Sequence, residues 1–115
     1  MFGDKKKKIK KYIEQLSPQN KTTFDLLCED YINGLFKKQL EQIGLIKPII
    51  HIDWTDQIKC IGIQAKYDVW HIDMQIYSDE FCLAADLDEA DYDTCFKLEN
   101  KEQFFNILCT FLKNL

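Results

Sequence analysis

Residues 49–87 decide the fold. They contain IIHIDW (49–54), CIGIQA (60–65), WHIDMQI (70–76) and FCLAADL (81–87). In each segment apolar residues recur at every second position: Ile50, Ile52 and Trp54; then Ile61, Ile63 and Ala65; then Trp70, Ile72, Met74 and Ile76; then Phe81, Leu83, Ala85 and Leu87. Successive strand side chains point to opposite faces, so each segment presents one apolar row to one side. The links at Thr55-Asp56-Gln57, Tyr67-Asp68 and Ser78-Asp79 are short and carry turn-forming aspartates. Short links between alternating segments predict an antiparallel meander of four strands. A fifth short strand is expected at Cys95–Leu98.

Upstream of Pro48 the period changes to about 3.6 residues. Ile9, Tyr12, Ile13 and Leu16 predict a short amphipathic helix over 5–16, with its lysines in water. Ser17-Pro18 reads as a break and restart, Ser17 as the cap and Pro18 as the first helical residue. The stripe Phe24, Leu27, Cys28, Tyr31, Ile32, Leu35, Phe36, Leu40 and Ile43 predicts one long helix ending before Gly44; Asn33-Gly34 also reads as a turn, but the stripe continues across it. After the strands, Asn100 with Gln103 predicts a capped last helix with the stripe Phe104, Ile107, Leu108, Phe111, Leu112 and Leu115. The expected fold is α+β: a single domain over 1–115, built as a two-layer sandwich of N-terminal helices, meander and C-terminal helix.

The chain has 115 residues and a formal net charge of -4. Its basic residues are all lysines, and their distribution is uneven. Residues 1–48 hold ten lysines and six acidic residues, a net of +4; residues 49–115 hold five and thirteen, a net of -8. A nucleic-acid surface would show arginine forks or stacking aromatics in a basic groove. The absence of arginine and the acidic second part point instead to a cationic partner. Lys5–Lys8, Lys10 and Lys11 read as a solvated helix face rather than a phosphate or membrane contact. No apolar run approaches the length of a membrane span, and neither a leader nor an acylation pattern is read at the N-terminus. Five cysteines, an odd number without CxxC spacing, argue against a secreted disulfide framework. Reduced thiols and a cytoplasmic location are expected, with Cys60, Cys82 and Cys95 as buried small hydrophobes on the second sheet face. That face is expected to be partly covered, by the first helix or by a partner.

Catalytic signatures are absent: no phosphate-binding loop, nucleophile elbow or HExxH motif occurs. His-Ile-Asp appears twice, at 51–53 and 71–73, and each repeat puts His and Asp on one strand face. These groups, with the acidic segment, would suit a small metal-dependent hydrolase, but no third ligand stands at a diagnostic spacing. Neither a cofactor nor a metal is expected. The densest charge feature is Asp86-Leu87-Asp88-Glu89-Ala90-Asp91-Tyr92-Asp93. It fails the EF-hand pattern and reads as an acidic loop aimed at a basic partner. The candidate partner-binding residues are therefore Asp86, Asp88, Glu89, Asp91, Tyr92 and Asp93, with His71 and Asp73.

In size, acidity and its aspartate-rich segment the chain resembles bacterial immunity proteins of contact-dependent growth inhibition and related polymorphic toxin systems. That resemblance implies a non-enzymatic protein that blocks a cognate, basic toxin, often a nuclease, by stoichiometric binding. A regulatory or scaffold subunit with a different partner is the other binding reading, and the hydrolase is the enzymatic one.

Overall fold

The computed structural model describes residues 2–115, with side chains from Lys5 onward. Met1, where leader and acylation patterns would start, lies outside that description. The chain forms α1 (Phe2–Glu14), a 3-10 turn (Pro18–Asn20), α2 (Thr23–Ile32), α3 (Leu35–Gln42), β1 (Ile46–Trp54), β2 (Lys59–Tyr67), β3 (Trp70–Ile76), β4 (Glu80–Leu87), β5 (Ala90–Lys97) and α4 (Lys101–Lys113). The strands pair antiparallel in sequence order, β1-β2-β3-β4-β5. This is the expected α+β meander, and its inner rows are the predicted ones. Ile52, Ile61, Ile63, Ile72, Met74, Ile76, Phe81, Leu83 and Ala85 are all buried.

The helices meet that row with their own stripes. Ile9 and Ile13 of α1, Phe24, Leu27 and Cys28 of α2, Phe36 and Leu40 of α3, and Phe104, Leu108 and Leu112 of α4 join one buried cluster with the sheet. Aromatic edges organise its centre. Phe104 stands 5.0 Å from Phe81, 5.1 Å from Phe105 and 6.2 Å from Phe36. Tyr12 of α1 packs edge-on against Trp54 at 5.2 Å, and Lys59 Nζ sits 4.1 Å from the Tyr12 ring. The first helix therefore covers the inner face and is not, of the two covers expected for the second face, the one that lies there.

Several boundaries differ from the sequence reading. The predicted long helix is broken at Gly34, which takes φ +74 between α2 and α3. Glycine adopts this left-handed conformation without a Cβ clash. The apolar stripe crosses the break because both short helices lie on the same core. Ser17 makes no side-chain cap. Thr22 does: its Oγ1 accepts from Asp25 N at 3.2 Å, while Asp25 Oδ2 accepts from Thr22 N at 3.0 Å. Thr22→Ala is expected to cost about 1 kcal/mol in a urea titration, because it leaves Asp25 N without its side-chain acceptor. α4 is capped as predicted, Asn100 Oδ1 accepting from Gln103 N at 2.8 Å. The Gln103 amide oxygen accepts from Glu99 N rather than from Asn100 N. A salt bridge from Lys101 to Asp30, 3.0 Å, ties α4 to α2.

β1 begins at Ile46, ahead of Pro48, with a register irregularity between Ile46 and Ile49. The fifth strand is longer than Cys95–Leu98. It begins at Ala90, so the acidic loop is in fact a hairpin with a two-residue turn at Asp88-Glu89. Asp68 and Asp88, the first residues of two such turns, have φ +56 and +52. Aspartate tolerates this region better than most residues with a Cβ.

Candidate functional site

The helices occupy one face of the sheet and leave the other to solvent. The cross-strand register fixes what that open face displays. At one end, Lys66, His71, Asp86 and Asp91 stand in a row across β2 to β5. The next row holds Ile49, Gln64, Asp73, Ala84 and Asp93. The following row holds His51, Gly62, Gln75, Cys82 and Cys95. His71, Asp73, Asp86, Asp91 and Asp93 are exposed, as are Asp88 and Glu89 at the adjoining turn. The structure thus brings seven of the eight candidate residues to one end of the open face or its rim.

Tyr92 is the exception. It pairs with Ala85 and so projects from the inner face, opposite to its neighbours Asp91 and Asp93. There its ring lies 5.6 Å from Trp70. Read as part of a loop, the segment placed Tyr92 among the acids; read as a strand, alternation removes it from them.

Two features set the electrostatics of this face. Asp86 and Asp91 stand directly opposite each other, an arrangement of like charges that destabilises a sheet. The two ion pairs among the described residues, Lys21–Glu29 and Lys101–Asp30, lie elsewhere and engage none of these carboxylates.

The two His-Ile-Asp tripeptides do not share a site. β2 lies between them, and the register offsets His51 from His71 by four positions along the strands. At ordinary strand spacings this puts them roughly 16 Å apart. The His51 imidazole instead lies across Gly62, its direct partner, where a Cβ would find no room. Among the described residues no group of three or more His, Cys, Asp or Glu side chains is arranged to hold a metal ion.

The cysteines also differ from expectation. Cys82 and Cys95 are not separate buried thiols. They face each other across β4 and β5, Cα atoms 4.0 Å apart, and form a disulfide; Cys82 is half-buried and Cys95 exposed. Cys60 is buried, and burial raises its thiol above the ordinary value against a smaller lowering by a Tyr77 hydrogen bond. Cys28 lies in the core, where burial and then the Asp25 charge push it up to about 12, so it stays a thiol.

One feature was not read from the sequence at all. Between β5 and α4 runs an apolar groove of about 470 Å³, lined by Tyr92, Thr94, Phe96, Ile107, Phe111 and Leu115 among others. Ile107, Phe111 and Leu115, at the outer edge of the α4 stripe, are only partly buried against the core.

No protein-family model matches this chain, and no curated protein or solved structure matches it significantly. No helix among the described residues is long and apolar enough to cross a membrane.

Proposed function

We propose that this protein is a binding protein of the toxin-immunity kind, which docks a basic toxin on the open sheet face at the β4–β5 hairpin. The observation that carries the reading is the Asp86–Asp91 pair: two carboxylates held opposite each other, exposed, with Asp73, Asp88, Glu89 and Asp93 around them. Such repulsion gives the isolated fold nothing, whereas a cationic partner relieves it on binding. His71, beside Asp86, supplies a hydrogen-bonding group at the rim of the same patch. Inhibition is stoichiometric: the patch covers the toxin's active site or an adjacent basic surface, in the cytoplasm. Charge complementarity speeds encounter and selects the partner.

The test has two stages. An immunity gene lies directly downstream of its toxin gene, so co-expression with the upstream gene product is expected to protect cells from it. Asp86→Lys with Asp93→Lys is then expected to weaken the purified complex by about tenfold or more, mostly through slower association. The same change turns the Asp86–Asp91 repulsion into attraction, so the thermal midpoint should not fall. Unchanged affinity with an intact fold would remove this face from the interface. A regulatory or scaffold subunit would show the same charge dependence toward a partner that is not toxic.

A further inference from the structure

We infer that β5 is a self-association edge, and that the partner fitted to it is a second copy of this chain, paired antiparallel strand to strand. The two edges of the sheet are unlike. β1 carries Pro48, a register irregularity between Ile46 and Ile49, and Lys47 at φ +50, devices that blunt an edge, and α3 packs beside it. β5 has no proline and no bulge: its register with β4 is unbroken from Ala90 to Lys97. It is exposed along most of its length.

The backbone groups available on that edge follow from the hairpin. A two-residue turn closes on a hydrogen-bonded pair, here Leu87 and Ala90, and such pairs then alternate along the ladder. The Leu98 N–H donates to Asp79 O at 2.9 Å, in step with that alternation. Ala90, Tyr92, Thr94 and Phe96 therefore bond to β4, and the N–H and C=O groups of Asp91, Asp93, Cys95 and Lys97 face outward. An antiparallel copy has to bring these same residues into register with one another.

One register does so over the full span. Centred on Thr94, it sets Asp91 opposite Lys97 of the second copy and Asp93 opposite its Cys95, with Lys97 diagonal to Asp93. On the inner side Tyr92 meets Phe96, and Thr94 meets Thr94. By two-fold symmetry every contact occurs twice except Thr94–Thr94, which lies on the axis. Shifting by two residues toward the turn sets Asp93 against Asp93, which like charges oppose. The symmetry axis runs perpendicular to the sheet, so both α4 helices lie on one side of the doubled sheet. The two apolar grooves then merge over β5, and Ile107 and Phe111 of each copy close on their counterparts. The open face stays uncovered on the other side, but its Asp91 and Asp93 lie along the seam, so the dimer and the toxin patch share those two residues.

The test is charge exchange on the purified chain alone, read by sedimentation equilibrium. At about 0.1 mM the wild-type chain is expected to sediment at twice its 13.7 kDa mass. Lys97→Asp sets acid against Asp91 at both ends and is expected to weaken the dimer by about tenfold or more. Asp91→Lys is expected to do the same, by placing lysine against Lys97. The double exchange, Asp91→Lys with Lys97→Asp, restores the pairing and the dimer, which a merely misfolded variant would not. Slow exchange of the Asp91, Asp93 and Cys95 amides in the dimer alone is the expected second signature. A wild-type monomer at that concentration, or a dimer unmoved by Lys97→Asp, overturns the inference. Lys97 lies outside the toxin patch, so a Lys97→Asp variant that loses the dimer and keeps toxin affinity separates the two readings.

Discussion

Phe104→Ala is expected to remove about 3–5 kcal/mol of unfolding free energy, the range for truncating a buried phenylalanine. Phe104 is fully buried, and its ring stands where three elements meet: Phe36 of α3, Phe105 of α4 and Phe81 of β4 are all within 6.2 Å. Alanine leaves a void that none of these rings fills without moving its own backbone, so both the transfer loss and the cavity count. A domain of this size has only about 5–15 kcal/mol in total, so the variant sits near its unfolding threshold. The urea midpoint is expected to fall with little change in slope. Phe105→Ala, at a half-buried position on the same turn, should lose clearly less. A loss below about 1 kcal/mol at Phe104 would mean that the aromatic cluster does not organise the core.

Reducing or removing the Cys82–Cys95 bond is expected to cost about 3 kcal/mol, the second largest single effect. The bridge closes a loop with a sequence separation of 13, which restricts the unfolded chain. The Cys82→Ser, Cys95→Ser variant should melt roughly 10 °C or more below the oxidised protein, and reductant should lower the wild type to the same point. Equal midpoints with and without reductant would show that the bridge adds nothing to β4–β5 pairing. The result matters for the proposed function because a cytoplasmic site of action keeps thiols reduced. There, β5 is held to β4 by its ladder and by Phe81–Phe96 stacking at 5.4 Å, and the fold has to persist on those terms.

The sheet was legible because four strands bury one face under helices, and burial of one face writes period-two alternation into the sequence. β5 was largely illegible for the same reason in reverse. As an edge strand whose inner residues Tyr92 and Thr94 are only partly covered, it lacks an apolar row, and its aspartates look like a loop. A signal was present: taking Asp88-Glu89 as a two-residue turn pairs Leu87 with Ala90. That register alone sets Cys82 against Cys95 and separates Tyr92 from the acids. The break at Gly34 was hidden by a stripe that two short helices share on one core. Alternation put Cys60, Cys82 and Cys95 on the second face; that Cys82 and Cys95 stand directly opposite each other, and so are bonded rather than free, required the β4–β5 register. The candidate acids were found by charge density; that they share a face required the register.

The order of elements has a consequence for the chain during its synthesis. Every strand pairs with the one before it, so each hairpin forms from residues already made, with short loops to close. The lid over the last two strands is the exception. Phe81 and Phe96 are covered by Phe104 and the rest of α4, which leaves the ribosome after every strand. Until it does, the nascent chain carries a finished sheet with an aromatic inner surface bare at one edge, and that interval is when chaperones or a second nascent copy have most to hold.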